Sequence, residues 1–240
     1  MPPSPLAASW CDFDLGVLGT GRMGVRLAAM FARAGRRVLL ASRTPDRARR
    51  IVDGLHIPGL VPGSYEQALA ARALLPAVFV RDGLFDLLDA HRSSLDGKLV
   101  IDIANPFNDD YSDFILPWDT SAAEQLQQRI PHARVVGAFK NVYWEVFDAP
   151  MLEGQTSDVL VAGDDVDAKQ AFLELAKATP FRYLDAGPLK HARTIERLTL
   201  ITDALGHQLG TYPRMNWRLL GDVTAPSERD RHGIDRLIAA

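Results

Sequence analysis

Residues 19 to 24 read Gly-Thr-Gly-Arg-Met-Gly, the spacing G-x-G-x-x-G. Alone, that pattern is only a glycine-rich turn. Its context gives it chemistry, because an apolar run, Leu15–Leu18, precedes it and a helical pattern follows, so the loop joins a strand to a helix. In that setting Gly19 permits the tight turn, Gly21 lets a pyrophosphate approach the backbone, and Gly24 lets helix pack on strand. The free N–H groups and positive dipole end of the helix, which begins around Arg22 and Met23, then face the phosphates.

About twenty residues on, the apolar run Val38–Ala41 ends in Ser42-Arg43, with Arg47 one helical turn later. A site for NAD places a carboxylate at this strand end to accept from the ribose 2′-hydroxyl, whereas an arginine here marks a 2′-phosphate. The Ser42 hydroxyl donates to such a phosphate, and the Arg43 guanidinium pairs with it bidentately while stacking on adenine. Arg47 either reaches the same group or belongs to a solvated basic face. The cofactor expected is NADP(H).

The elements that must position these residues are legible as alternation. Short runs rich in Val, Ile and Leu predict strands at Leu15–Leu18, Val38–Ala41, Ala73–Phe79, Leu99–Ile103, Val135–Phe139, Val159–Ala162 and Phe181–Leu184. Amphipathic stretches lie between most of them, which is the pattern of a parallel sheet covered by helices. A first helix runs Val25 to Ala34 with Gly35 as a left-handed cap. Thr44-Pro45-Asp46 predicts an N-cap with proline at the first helical position, and Ser121 to Glu124 has capping-box spacing ahead of a helix that stops before Pro131. Gly187-Pro188 opens a long last helix, Leu189 to about Leu209, ended by Gly210. The fold class expected is α/β: a doubly wound, mostly parallel sheet (a Rossmann dinucleotide-binding domain) with a small C-terminal helical extension. Residues 1–11 are expected to be a disordered leader, 12–163 the dinucleotide-binding domain, and 164–240 an α/β extension that carries the second-ligand and dimer region.

With 240 residues, 47% hydrophobic and 24% charged, and a formal net charge of -3, the composition is that of a soluble globular protein. No nucleic-acid partner and no membrane partner is expected. The single cysteine, Cys11, cannot form an internal disulfide, which fits a cytoplasmic location.

GTGRMG, ASRTPDR, VVGAFKNV, the GDD segment and above all LDAGPLKHAR together resemble the NADP-dependent oxidoreductases related to the archaeal F420H2:NADP oxidoreductase. The nucleotide domain of that family is also similar to the one in the STEAP metalloreductases. The resemblance runs from about Asp14 to Gly210. It implies that NADP is held by Thr20, Gly21, Arg22, Met23, Ser42, Arg43 and Arg47. It also implies that the nicotinamide lies against Ala77, Val78, Asn105, Pro106 and Ala138, and that copies pair as a homodimer through C-terminal elements. Three stretches depart from the family pattern: LLPAVFVRD, where Pro76 falls inside a strand and predicts a bulge or early strand end, the long loop 106–118, and the tail after Tyr212.

The activity expected first is hydride transfer between NADP(H) and a deazaflavin or flavin-like ring, with coenzyme F420 or a flavin as second substrate, which needs mainly stacking; the alternative is a small-substrate reductase. Reduction of a small imine, ketone or biosynthetic intermediate also needs a proton donor, for which Lys140 and His191 are the candidates, ahead of Tyr143 and Tyr111. A nucleotide-binding sensor without turnover is a third class. The acceptor pocket is expected between Phe79, Pro106, Phe107, Val142 and Tyr143, covered by the Gly187-Pro188-Leu189 turn and rimmed by Lys140, Lys190, His191 and Arg193. The acidic loop residues Asp109, Asp110 and Asp113 are expected to be solvated, so no metal site is predicted. The residues Ile195, Leu198, Thr199, Ile201, Leu205 and Leu209 along the last helix predict that a homodimer forms through this helix and the aromatic tail Tyr212 to Trp217.

Overall fold

The computed structural model describes residues 12–221. The expected leader 1–11, with Cys11, and the last part of the tail, 222–240, lie outside the described residues. In chain order the first half comprises β1 (Leu15–Leu18), α1 (Arg22–Arg33), β2 (Val38–Ala41), α2 (Pro45–Leu55), β3 (Leu60–Gly63), α3 (Tyr65–Leu69) and β4 (Ala73–Pro76). It continues through α4 (Leu84–Ala90), β5 (Leu99–Asp102), α5 (Ala122–Arg129) and β6 (Arg134–Gly137). The six strands form one sheet in the order β3-β2-β1-β4-β5-β6, every pairing parallel. The order reverses between β1 and β4, and ligands of such sheets bind beyond the carboxyl ends of the strands at that point.

Burial explains why these runs are strands. All four residues of β1 and of β2 are buried, as expected where helices cover both faces of a parallel sheet. Leu27, Ala28 and Phe31 of α1 pack on one face together with Phe139 and Phe172, while Leu69, Leu84 and Leu126 fill the other. α1 ends as Gly35 predicts: at φ 83° it sends its N–H to the Ala32 carbonyl, and the Arg36 N–H reaches that of Phe31, which satisfies the last carbonyls of the helix.

Three differences from the sequence expectation have local causes. The strand expected over Ala73–Phe79 stops at Pro76, the early end that this proline predicts. Ala73 and Ala77 donate to Asp14 and Leu18 on the β1 side, so the missing Pro76 N–H falls on the β5 side, where the paired register ends at Leu74–Val100. β3, with Pro62 and Gly63, is an additional strand. Gly59, just before it, accepts from Val38 of β2 and its Gly63 from Ser42 in the following turn, so the Pro62 nitrogen lies on the outer edge, where a proline costs no ladder bond. Finally, Thr44 stands at the N-cap of α2 without a side-chain hydrogen bond, although Pro45 does open that helix.

Beyond β6 come a short hairpin, β7 (Met151–Leu152) with β8 (Gln155–Thr156), and then β9 (Asp158–Val161), α6 (Val166–Ala176) and β10 (Arg182–Asp185). β9 and β10 pair in parallel, and an antiparallel bridge between Gly137 and Ala162 joins them to β6. A 3-10 turn, Leu189–His191, leads into α7 (Ala192–Leu209), which crosses above the carboxyl ends of β5 and β6 and ends at Gly210.

Candidate functional site

The glycine loop is built as its spacing requires. Gly19 has φ +111°, and a Cβ there would stand 2.6 Å from the Ala77 carbonyl oxygen. A Cβ on Gly24 would meet the Gly19 carbonyl oxygen at 2.1 Å and the Ala77 Cβ at 3.1 Å, so helix, loop and β4 end touch backbone to backbone. Gly21 is different: it caps α1, and nothing lies within 4 Å of where its Cβ would be. The Gly19 N–H donates to the Ala41 carbonyl at 2.9 Å, so the loop sits directly beside the end of β2.

Ser42 and Arg43 lie at that end. The Ser42 Oγ accepts from the Thr44 N–H at 3.1 Å, which leaves its hydroxyl hydrogen free to be donated. Arg43 is exposed. Arg47 folds back on the glycine loop and reaches the Thr20 carbonyl at 3.4 Å. The structure therefore brings Gly19, Thr20, Gly21, Ser42, Arg43 and Arg47 together along one edge. Arg22 turns its guanidinium over the Trp144 ring, 4.0 Å from the centroid.

From this edge a cleft of about 200 Å³ runs across the strand ends. Gly21, Arg22 and Met23 line it on the loop side, and Ala77, Val78 and Phe79 at the end of β4. Ile103, Ala104, Asn105, Phe107 and Tyr111 follow from the β5 side, and Phe139, Val142, Tyr143 and Trp144 from the β6 side. Thr199 and Asp203 of α7 and Tyr212 close the remaining wall. Pro106 and Ala138 stand just outside this lining. The Pro106 carbonyl accepts from the Ile115 N–H, and Ala138 is buried with its N–H on the Asp102 carbonyl.

Under the floor lies a buried ion cluster. Lys140, 1% exposed, places Nζ 2.6 Å from Asp102 Oδ2, 2.8 Å from Glu196 Oε1 and 2.5 Å from the Ala104 carbonyl. Glu196 also accepts from the Ala122 and Ala123 N–H groups at the start of α5. Burial pulls the Lys140 ammonium down, but the Asp102 and Glu196 carboxylates outweigh it and hold the pKa above the ordinary lysine value. Burial pushes Glu196 up. The chain adopts φ 57° at Phe139 and then presents the Lys140 carbonyl, which accepts from Asn105 Nδ2 at 2.7 Å and from Thr199 Oγ1 at 3.0 Å. Asn105 Nδ2 also donates to Thr199 Oγ1 at 3.2 Å. Its Oδ1 is buried without a partner.

The expected cover and rim are elsewhere. Leu189 is buried against the α4 and α5 side, and His191 Nδ1 contacts the Ala186 carbonyl. Arg193 is committed to both oxygens of Glu124, and neither it nor Lys140, Lys190 or His191 lines the cleft. Sequence reasoning missed Trp144, Thr199, Asp203 and Tyr212. A signal existed: Glu196, Thr199 and Asp203 repeat at three and four residues, a polar stripe on one helix face. Of the apolar residues on the same helix, Ile195 is buried while Ile201, Leu205 and Leu209 are exposed. Among the described residues no three His, Cys, Asp or Glu side chains converge as a metal site, and no helix is long and apolar enough to cross a membrane.

Comparison with known proteins agrees with this geometry. Residues 14–106 match the family model described as NADP oxidoreductase, coenzyme F420-dependent. The F420-dependent NADP reductase of Methanothermobacter thermautotrophicus is 31% identical over 75% of this chain and 83% of its own length. The metalloreductase STEAP3 of Rattus norvegicus is 28% identical over 78% of this chain, but the chain spans only 36% of that protein. In structure, a protein from Arthrobacter sp. FB24 provisionally described as an F420-dependent NADP reductase superposes with a TM-score of 0.74 at 25% identity, covering 87% of this chain and all of the other. The glycine loop, the Ser-Arg strand end and this likeness along most of an archaeal reductase place the chain in the family of coenzyme F420-dependent NADP oxidoreductases.

Proposed function

We propose that the chain is an NADP(H)-dependent reductase that passes hydride to a small planar acceptor in the aromatic cleft. Asn105 carries this reading. It lines the cleft at the carboxyl end of β5, both its amide hydrogens are committed, and its Oδ1 is buried without a donor. A buried acceptor left unpaired costs about 1–3 kcal/mol, and the carboxamide N–H of a nicotinamide is a donor of the kind it lacks. The open space at Gly21 and the start of α1 fit the pyrophosphate. Ser42, Arg43 and Arg47 fit a 2′-phosphate.

Bound NADPH supplies the hydride. The side chains bind, orient and exclude water. Ala77 and Val78 pack beside the glycine loop, and the aromatic residues present flat faces. Lys140 serves as a positioning residue, because it is sealed from the cleft and acts by fixing the carbonyl that holds Asn105. His191 takes no part in the reaction. Tyr143 keeps its proton: burial, then the Asp203 charge, raises its pKa far above the ordinary tyrosine value, and its hydroxyl donates to the Thr199 carbonyl at 2.9 Å.

The names of the archaeal relatives favour a second reading, in which the acceptor is the deazaflavin ring of coenzyme F420 or a flavin. Phe79, Phe107 and Tyr111 are surfaces on which such a ring stacks. The acidic tail of that coenzyme would need cations at the mouth; the four expected there do not line the cleft, and Arg22, which does, is turned onto Trp144, so the smaller acceptor is the better fit. The exposed Ile201, Leu205 and Leu209 on α7 support pairing of two copies, and the lone cysteine supports a cytoplasmic setting.

Equilibrium titration with NADPH and NADH tests the cofactor assignment. Charge-assisted hydrogen bonds are worth about 1.5–3 kcal/mol each, so NADPH should bind about tenfold tighter or more, and Arg43→Ala should erase most of the difference. Equal affinities in the unmutated protein would refute the assignment.

A further inference from the structure

From the composition of the cleft wall we infer that the second ligand is an organic cation, an iminium group held between aromatic faces and the Asp203 carboxylate. The inference rests on this cleft being the hydride-transfer site proposed above. Among the described residues that line it, Arg22 and Asp203 alone carry charge. Arg22 is turned onto Trp144 beside the glycine loop. Asp203 stands on the wall formed by α7, its side chain 26% exposed and without a lysine or arginine partner in an ion pair. Its neighbours are the Tyr143 hydroxyl at 3.5 Å from Oδ1 and His207 Nε2 at 3.7 Å from Oδ2, both too distant for strong hydrogen bonds. Tyr212 stacks on His207, ring centroids 4.2 Å apart, and so shields that side.

Around this carboxylate the wall is aromatic: Tyr143, Trp144, Tyr212, Phe79, Phe107 and Tyr111. Tyr143, Trp144 and Tyr212 meet edge to face or tilted, with centroids 5.4–6.1 Å apart. Ring faces attract a cation within about 6 Å through their quadrupole; Arg22 takes one face of Trp144, Arg81 takes faces of Phe79 and Tyr111, and His207 one face of Tyr212, so the ligand meets the remaining faces, with the carboxylate beside Tyr143 as counter-charge. An anionic acceptor would instead face Asp203, and the nearest cations, Arg22 and Arg81, are already turned onto Trp144 and onto Phe79 and Tyr111.

An iminium is an organic cation that accepts hydride directly. Hydride adds to the iminium carbon, the C=N π pair moves onto nitrogen, and the products are a neutral amine and NADP+. No proton moves in that step. Reduction of a ketone would require a proton donor at the developing alkoxide; Lys140 is sealed beneath the floor and His191 lies at the Ala186 turn, and of the two tyrosines that do line the cleft, Tyr143 already gives its hydrogen to the Thr199 carbonyl and Tyr111 stands exposed on the loop. A wall with a carboxylate suits a substrate that arrives already charged. Asp203 is therefore assigned as the residue that binds the cation and selects it over neutral carbonyls.

The test uses the full chain and three probes: N-methyldihydroisoquinolinium, a permanently charged iminium; tetralone, its neutral ketone counterpart; and the non-reducible N,N-dimethyltetrahydroisoquinolinium. Calorimetric titration of the NADPH complex, whose nicotinamide is neutral, should show the non-reducible cation binding about tenfold tighter than tetralone or better. Asp203→Asn should abolish that preference while leaving NADPH affinity within twofold, and Asp203→Glu should retain most of it. The iminium should oxidise NADPH, with KM raised about tenfold in Asp203→Asn. Equal binding of cation and ketone, or an Asp203→Asn variant indistinguishable from the unmutated protein, overturns the inference, as does turnover with F420 and none with the iminium. NADPH binding separates the two levels: if it is intact and the cation is ignored, only the cation assignment falls, whereas if NADPH itself does not bind, the proposed function falls with it.

Discussion

Replacing Lys140 by methionine should destabilise the fold without substituting any residue of the cleft wall. The side chain is 1% exposed, and its two carboxylate partners, Asp102 and Glu196, are fully buried. Methionine keeps the length and apolar stem but deletes the charge, so two carboxylates 2.6 and 2.8 Å from Nζ, and the Ala104 carbonyl, lose their donor. Breaking a buried ion pair costs about 3–5 kcal/mol. Proton uptake by Glu196, which burial already pushes up, keeps the loss within that range. At about 2–4 °C per kcal/mol for a domain of this size, the melting temperature should fall by about 6–20 °C at pH 7.5. A group whose folded pKa is raised contributes stability below its unfolded pKa and loses it as pH climbs through the folded value. With Lys140 gone, Glu196 is such a group, so the deficit should shrink between pH 7.5 and pH 5. The double variant Lys140→Met/Glu196→Gln removes one of the stranded charges and should recover part of the loss. Scanning calorimetry and urea unfolding of all three proteins decide the matter. A single variant that melts within 2 °C of the unmutated protein, or a deficit that grows on acidification, would refute the reasoning.

Two further changes probe the frame around the cleft. Gly24→Ala places a Cβ 2.1 Å from the Gly19 carbonyl oxygen, so the glycine loop must move away. It should cost about 1–3 kcal/mol and weaken NADPH binding severalfold, and an unchanged dissociation constant would show that the loop does not hold the cofactor. Asp158, its side chain 2% exposed, accepts two bonds from Arg182, each 2.6 Å, and one from the Leu219 N–H at 2.7 Å. Burial pushes its carboxyl up, but those partners outweigh it and hold the pKa below the ordinary value. Its contribution is thus present above the usual carboxylate range and lost as pH falls. Asp158→Asn should lose about 1.5–3 kcal/mol at pH 7, and the gap from the unmutated protein should narrow in acid. A gap that stays constant down to pH 3 would contradict the assignment.

Local physics made much of this protein readable from its residues. The four-residue apolar runs, the strand-loop-helix setting of Gly19, Gly21 and Gly24, and the cap at Gly35 are short-range effects: burial on both faces of a sheet, a turn that excludes a Cβ, and a helix end that needs positive φ. Ser42-Arg43 stands where the second strand ends because a parallel sheet puts that position beside the glycine loop. β3 was hidden because Pro62 and Gly63 are turn residues, tolerated only at an edge that the sequence does not mark. What lay beyond reach were contacts between distant segments. Lys140 sits at a strand end in sequence, where a cation would ordinarily face solvent. Its burial follows from two carboxylates, 38 residues before it and 56 after it, that meet it only once β5, β6 and α7 have packed. The wall of the cleft has the same origin. Asp203 and Tyr212 look like surface residues of a terminal helix and its tail until α7 crosses the strand ends and turns them toward Tyr143 and Trp144, because tertiary packing, not spacing along the chain, decides which face of that helix meets the ligand.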